Sequence, residues 1–444
     1  MDIIQFEDKF LAHYAYALIS DGEIALVDPA RNPQPYYDLA EKEGAKITAI
    51  IETHPHADFV SSHKEIAEKT GAKIYVSKLL GAEYEHHSFD DGDTIKVGKT
   101  TLKALNTPGH SPDSISVVVL DENGKEKAVF TGDTLFIGDC GRPDLRETAG
   151  ALTATRQELA RQMYHSLRDK LMPLPDDVLV YPAHGAGSLC GKGLSAANVS
   201  TIGAEKATNW SLKNITMQEF EHEILENQPF VPKYFTNSVT LNKKGAPGYL
   251  SSIEGIVIHE SLPENLDDAV IIDTRDQEDF KRGHLSKSIN LMNDTKFETW
   301  LGSIVSPEEK FYLIGENKEA LKSLISRTAS IGYEGQVAGA FVTKNIAGET
   351  EEQVNLEAFK AHPENYTIVD IRNASEVKSK KVFENALNIP LPELRERVGE
   401  VPTGKPIIVH CAGGYRSAAG ASIIKGQLNG EAEVMDLSYA IKDF

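Results

Sequence analysis

Two stretches of this chain carry residue types that could do chemistry. The first is Thr53-His54-Pro55-His56-Ala57-Asp58-Phe59, which follows the apolar run Ile47-Thr48-Ala49-Ile50-Ile51 and Glu52. Histidines at i and i+2 with an aspartate at i+4 cannot share a helix face, whose neighbours lie three and four apart, but at the mouth of a strand they can converge. Neutral imidazole and carboxylate are common ligands of first-row metals, so this loop reads as half of a metal site. Further donors follow. In Thr107-Pro108-Gly109-His110 the proline and glycine force a tight turn that presents the imidazole. Asp133 ends an apolar run in Thr131-Gly132-Asp133, and His184 ends another in Pro182-Ala183-His184. The second stretch is Cys411-Ala412-Gly413-Gly414-Tyr415-Arg416-Ser417, between an apolar strand and a helix expected over 418–425. Its small residues let the backbone curl around the sulfur so that several amides point inward. The helix N-terminus and Arg416 then favour a thiolate and any anion it attacks.

These residues need elements to hold them. Residues 10–28 read as a β-hairpin turning at Asp21-Gly22, with His13 a hydrogen-bonded strand histidine. A helix is expected over 35–44, a strand over 45–51, a helix over 62–69 stopped by Gly71, and a strand over 73–76. His63, His86 and His87 read as surface residues. Strands over 101–105, 115–119, 128–131 and 178–181 complete the set, so that four strand-end loops each bring a potential ligand.

From about Leu250 a different pattern appears, and it appears twice. Ala269-Val270-Ile271-Ile272-Asp273-Thr274-Arg275 is echoed by Tyr366-Thr367-Ile368-Val369-Asp370-Ile371-Arg372. Likewise Lys310-Phe311-Tyr312-Leu313-Ile314-Gly315 is echoed by Pro406-Ile407-Ile408-Val409-His410-Cys411. Apolar strands alternating with helical stretches imply two small α/β domains on parallel sheets, with linkers at 240–250 and 345–352. The first copy has Gly315 in place of the cysteine, followed by Glu316-Asn317-Lys318-Glu319: no thiol, and a carboxylate where an anion would bind. A structural role is expected for it.

The chain has 444 residues, which suits two or three domains, and a formal net charge of −20, which argues against nucleic acid or an anionic membrane as partner. No apolar run is long enough to span a bilayer, and residues 1–9 lack the pattern of a signal peptide. The three cysteines, Cys140, Cys190 and Cys411, are far apart, pointing to free thiols in a reducing, cytoplasmic setting. A homo-oligomer is compatible with all of this.

The ordered motifs HxHxD, PGH, TGD and PAH resemble the metallo-β-lactamase superfamily over residues 1 to about 240. That resemblance implies an αββα sandwich with metal at one edge of two sheets. In hydrolases of the superfamily His54, His56 and His110 would hold one metal, Asp58, a following histidine and His184 a second, with Asp133 bridging. Phe59 stands where that following histidine would be, leaving Asp58 and His184 alone and implying a single metal. The persulfide dioxygenase branch uses a two-histidine, one-carboxylate triad. It carries over to His54, His110 and Asp133 with one Fe(II) per chain, and His56, Asp58 and His184 lie behind them. The residues alone would equally allow a three-histidine zinc site. Gly138-Asp139-Cys140-Gly141-Arg142-Pro143-Asp144 resembles that branch's Cys-Gly-Arg-x-Asp motif, implying an Arg142–Asp144 pair near the pocket, and Asp28-Pro29-Ala30-Arg31 resembles its Asp-Pro-x-Arg turn. His184-Gly185-Ala186 departs from the His-Asp-Tyr of glutathione-using members, so the thiol carrier stays open among glutathione, coenzyme A, bacillithiol and others. Cys190, in the glycine-rich loop 187–193, is a candidate thiol near the pocket.

The Cys411 loop resembles that of rhodaneses, which implies Cys411 as the persulfide-carrying nucleophile, Arg416 as its helper and Asp370-x-Arg372 as a scaffold pair. Phosphatase loops of the Cys-x5-Arg type have one more intervening residue. The whole length therefore resembles persulfide dioxygenase–sulfurtransferase fusions: a metallo-β-lactamase-like dioxygenase domain over 1–245, an inactive rhodanese-like domain over 250–346 and an active one over 352–444. The implied partners are a low-molecular-weight thiol persulfide, O2, and sulfite or thiosulfate, in sulfide detoxification. Two rivals stand beside this reading: a zinc thioester hydrolase of glyoxalase II type, and a non-catalytic sulfur carrier or persulfide sensor.

Overall fold

The computed structural model describes residues 1–145, 154–263, 266 and 269–444. They form two compact units, residues 1–251 with 329–332, and residues 252–328 with 333–444. Among the described residues no helix is long and apolar enough to cross a membrane.

In the first unit the strand His13–Ser20 alternates large and small apolar residues. Tyr14, Tyr16 and Leu18 face one core while Ala15 and Ala17 face another, so both sides of the strand are covered. It turns at Asp21 and Gly22, both with positive φ, into Glu23–Val27, as the Asp-Gly signal requires. A six-stranded sheet runs Asp2–Asp8, His13–Ser20, Glu23–Val27, Lys46–Ile51, Lys73–Val76 and His87–Ser88. Its first three strands are antiparallel, and from Glu23–Val27 onward neighbours run parallel. A second six-stranded sheet runs Ser200–Thr201, Leu179–Pro182, Glu126–Gly132, Ile115–Leu120, Thr100–Asn106 and Thr94–Val97.

The two sheets close over a shared core that includes Leu18, Val27, Ile51, Leu102, Val117, Val119 and Phe130. The helices Gln34–Glu43 and His63–Thr70 cover the outside of the first sheet through Tyr36, Leu39 and Ile66. Arg156–His165 and Met217–Leu225 cover the second through Ala160, Met163, Phe220 and Ile224. This is the expected αββα sandwich. Two expectations need correction. The supposed linker at 240–250 is helical at both ends, within Phe235–Lys244 and Tyr249–Glu254. His63 is fully buried rather than on the surface, because its helix turns that face towards Glu52, 3.5 Å away, and Tyr84.

The second unit holds two all-parallel sheets. One has five strands in the order Ile258–His259, Val337–Val342, Phe311–Gly315, Val270–Asp273 and Ile289–Asn290. The other has four, Leu387–Asn388, Thr367–Asp370, Ile407–His410 and Val434–Asp436. Parallel neighbours need crossover connections, supplied here by helices such as Lys318–Ser330 and Tyr415–Leu428. Registers agree between copies: Asp273 pairs with Ile314 and Asp370 with His410, so Gly315 and Cys411 occupy equivalent positions. The second helix begins at Tyr415, three residues before the expected 418, because Gly414 in the left-handed region (φ 98°) turns the chain directly into it.

Candidate metal centre and cysteine loop

The donors of the first unit leave from strand ends in both sheets, so the packing of one sheet on the other brings together residues as distant in sequence as 54 and 184. His54, His110 and Asp133 place one ligand atom each within 4.8 Å of one another, all buried. Asp133 Oδ2 lies 3.7 Å from His54 Nε2 and 3.4 Å from His110 Nε2.

The surrounding hydrogen bonds settle which atoms face inward. Thr53 Oγ1 donates to Asp28 Oδ2 at 2.8 Å, so it accepts from His54 Nδ1 at 3.0 Å, leaving Nε2 with its lone pair. The carbonyl of Arg142 can only accept, so His110 Nδ1 donates to it at 2.9 Å and Nε2 is again free to ligate. Asp133 Oδ1 accepts from His184 Nδ1 at 2.8 Å, while its Oδ2 and His54 Nε2 are buried without a hydrogen-bond partner. Orphaned acceptors aimed at one another are costly unless a cation sits among them, so this donor set fits a metal ion. Burial, with neighbouring His56, depresses the His54 imidazole well below its usual value, and burial likewise lowers His110. Both are therefore neutral, as ligands must be. Burial opposes the Asp133 charge, but His184, which also donates to it, outweighs burial and holds that carboxyl well below the usual range.

A second group, His56, Asp58 and His184, also brings ligand atoms within 4.8 Å. The sequence reading left this side with Asp58 and His184 only; the structure adds His56. These atoms have ionisable neighbours, although His56 Nε2, Asp58 Oδ1 and His184 Nε2 are, like His54 Nε2, buried without a hydrogen-bond partner. His56 Nε2 lies 3.1 Å from Asp28 Oδ1, and His184 Nε2 lies 2.8 Å from Asp58 Oδ2. Burial disfavours a charged His184, yet Asp133 and Asp58 on either side raise its pKa well above the ordinary value. Phe59 fills the neighbouring space, its ring 4.3 Å from His56 and 3.8 Å from His13.

Arg142 and Asp144 form the expected pair, with Nε to Oδ1 at 2.7 Å and Nη2 to Oδ2 at 2.6 Å. Because the Arg142 carbonyl orients His110, the pair steadies a candidate ligand as well as a loop. Cys190 is brought to the centre, within 4.8 Å of Asp133 and His184, but burial and the charges of Asp58 and Asp133 push its thiol well up. It is a protonated neighbour there. His13, expected as a hydrogen-bonded strand histidine, is buried beside the centre with Nε2 unpartnered, its ring 5.7 Å from His56 and 5.5 Å from His184. Thr53, to which the sequence assigns no role, links Asp28 to His54. The only sequence signal for His13 was a polar residue in an otherwise apolar strand.

In the second unit Cys411 is buried at the start of its loop, and its Sγ accepts the Gly414 N–H at 3.1 Å. A Cβ at Gly414 would meet the Ser438 and Tyr439 backbone at 2.9 Å, so glycine is required for the loop to close. The scaffold pair is present, with Arg372 Nε on Asp370 Oδ1 at 3.0 Å. Arg416 points to an unforeseen partner: both terminal nitrogens donate to Glu376 at 2.7 Å.

Comparison with known proteins gives three kinds of match. The metallo-beta-lactamase superfamily matches residues 8–184, and the rhodanese-like domain matches twice, at 259–338 and 355–444. The human mitochondrial persulfide dioxygenase ETHE1 is 31% identical over 200 residues, 45% of this chain and 69% of that protein. The cytoplasmic hydroxyacylglutathione hydrolase of Arabidopsis thaliana is 34% identical over 176 residues, 39% of this chain and 63% of that protein. A crystal structure of a metallo-beta-lactamase from Staphylococcus aureus subsp. aureus COL is 32% identical with a TM-score of 0.69, covering 77% of this chain and 99% of its own.

Proposed function

Because the chain belongs to the metallo-β-lactamase superfamily, with an N-terminal domain related to the ETHE1 persulfide dioxygenases and rhodanese-like domains following it, we propose that it is an iron-dependent persulfide dioxygenase joined to a sulfurtransferase. The observation that carries the first half is the convergence of the unpartnered His54 Nε2 and Asp133 Oδ2 with His110 Nε2. Two imidazoles and one carboxylate form a set that suits non-haem Fe(II). A ferrous ion held there would supply O2 activation and open positions for the persulfide sulfur.

The chain's own residues do the rest. Thr53 and the Arg142 carbonyl lock the two histidine tautomers, His184 steadies Asp133, and Phe59 keeps the space beside His56 apolar. The overall reaction would be RSSH + O2 + H2O → RSH + SO3²⁻ + 2H⁺. At the cysteine loop a second persulfide would pass its outer sulfur to Cys411, RSSH + Cys411–S⁻ → RSH + Cys411–S–S⁻, and sulfite would then take it, Cys411–S–S⁻ + SO3²⁻ → Cys411–S⁻ + S2O3²⁻. The Gly414 N–H is placed to stabilise the thiolate released. Holding both activities on one chain raises the effective concentration of sulfite at Cys411.

Elemental analysis of anaerobically purified protein tests the metal assignment. One iron per chain is expected, lost in Asp133→Ala; two tightly held zinc ions would overturn it. Those zinc ions would instead favour a thioester hydrolase, for which the similarity to hydroxyacylglutathione hydrolase and the second group His56, Asp58 and His184 speak. For the coupling, persulfide and O2 should yield mainly thiosulfate with the intact chain and free sulfite with Cys411→Ser.

A further inference from the structure

Arg416 is the sole cation in the segment 411–417. Its Nη1 and Nη2 each donate to a different oxygen of Glu376 at 2.7 Å, a two-pronged pairing. Glu376 is itself held, since its Oε2 accepts the Asn373 N–H at 3.0 Å at the start of the helix Ala374–Ser379. On another side the guanidinium carbon lies 5.6 Å from the ring centre of Trp300, from the helix Phe297–Ile304 of the first rhodanese-like copy. Next to it the Tyr415 hydroxyl donates at 3.1 Å to the carbonyl of Met292, also in the first copy. Arg416 is thus bracketed, and the pair is partly shielded from water, with side-chain exposures of 14% for Arg416 and 33% for Glu376. A carboxylate this close cancels much of the field that the arginine would offer an anion at the sulfur.

Resting on the sulfur-transfer reading above, we propose that Glu376 is a specificity-setting positioning residue: it holds Arg416 and weakens its attraction for a sulfur oxyanion, so that a thiosulfate dianion formed at Cys411 is released rather than retained. The cysteine-free copy takes part by walling Arg416 in with Trp300, so that the pairing persists. An unopposed unit charge a few ångströms from a part-buried anion changes its binding by about tenfold or more.

The test uses the full-length protein. Cys411 is alkylated with iodoacetate, an anion, and with iodoacetamide, its neutral counterpart, and the rates are read at that residue by mass spectrometry. Glu376→Gln should raise the iodoacetate-to-iodoacetamide ratio about tenfold. Glu376→Asp, which keeps the charge, should leave the ratio within about twofold of wild type. In sulfur transfer from thiosulfate to cyanide, Glu376→Gln should lower KM for thiosulfate by a similar factor without raising kcat. A purely structural Glu376 would slow both reagents together and leave the ratio unchanged. An unchanged or falling ratio in Glu376→Gln overturns the proposal even where wild type transfers sulfur. If wild type and Cys411→Ser alike fail to make thiocyanate, the sulfur-transfer reading itself fails, and the alkylation ratio still reports on Glu376.

Discussion

The two rhodanese-like copies have the same frame and opposite endowments. In each, an aspartate at a strand end grips an arginine two residues on, Asp273 with Arg275 and Asp370 with Arg372. In each, an asparagine from the next strand donates to both carbonyls of that pair: Asn290 to Asp273 and Arg275 at 3.1 and 3.0 Å, Asn388 to Asp370 and Arg372 at 2.8 Å each. Yet at the equivalent strand end one copy has Cys411, whose sulfur accepts the Gly414 N–H, in a loop with Arg416, and the other has Gly315 and no arginine through Leu321. The Asp–Arg–Asn cluster therefore joins two parallel strands in both copies, whether or not a cysteine follows. The two copies differ instead at the loop after the central strand, on the same frame.

The comparison can be broken most decisively at the sulfur. Cys411→Ser should reduce thiosulfate:cyanide sulfur transfer by about a thousandfold or more, while persulfide-dependent O2 uptake stays within about twofold of wild type. Loss of both would mean the two sites are not separate. Asp273→Asn and Asp370→Asn then test the frame. Each leaves a buried arginine without its carboxylate and should cost about 3–5 kcal/mol of stability in denaturant unfolding. Equal losses in both copies support a shared structural role; a loss confined to the Cys411 copy would make the pair part of its chemistry.

A smaller effect is expected from Gly315→Cys. A Cβ at Gly315 would lie 2.8 Å from Leu321 Cδ2 and 2.9 Å from its Cγ, so the helix after the strand sits too close for a side chain. The substitution should cost about 1–3 kcal/mol, and in a Cys411→Ser background it should restore no thiocyanate formation. Recovery of transfer would show that the missing thiol alone separates the copies.

The smallest effect concerns Glu351, which feels charges from both copies. Burial raises its carboxyl to about 7, with Lys425 working against the rise and Asp436 adding to it. A folded-state pKa above the unfolded value means the folded state holds the proton longer. The cost of ionising Glu351 is therefore absent below about pH 4.5, grows as pH rises and is complete above about pH 7. Glu351→Gln should accordingly stabilise the chain by about 1 kcal/mol more at pH 8 than at pH 5, in unfolding measured at both.

Much of this architecture was legible from the chain alone because its signals are local. The Asp-Gly turn, the apolar strands and the repeated Asp-x-Arg each depend on residues within a few positions of one another, as do the ligand-bearing strand ends. What was misread depended on packing. His63 looked like an exposed helix residue, and only the sheet behind that helix buries it against Glu52. Residues 240–250, with lysines, glycines and asparagine, read as a linker, but the apolar Val239 and Tyr249 anchor helices there.

By itself the sequence determined which residues are available: histidines and aspartates at strand ends, a phenylalanine where another histidine would stand, one cysteine in a loop small enough to wrap it, and a sister copy lacking it. Only the tertiary structure decided what those atoms face. Thr53 reaches back to Asp28, the Arg142 carbonyl turns His110, and Glu376 claims Arg416 from 40 residues away. The physical reason is that a hydrogen bond or ion pair acts over about 3 Å of space whatever the separation along the chain. Residue type is written in the sequence, whereas a long-range partner exists only once the sheets have brought the two ends together.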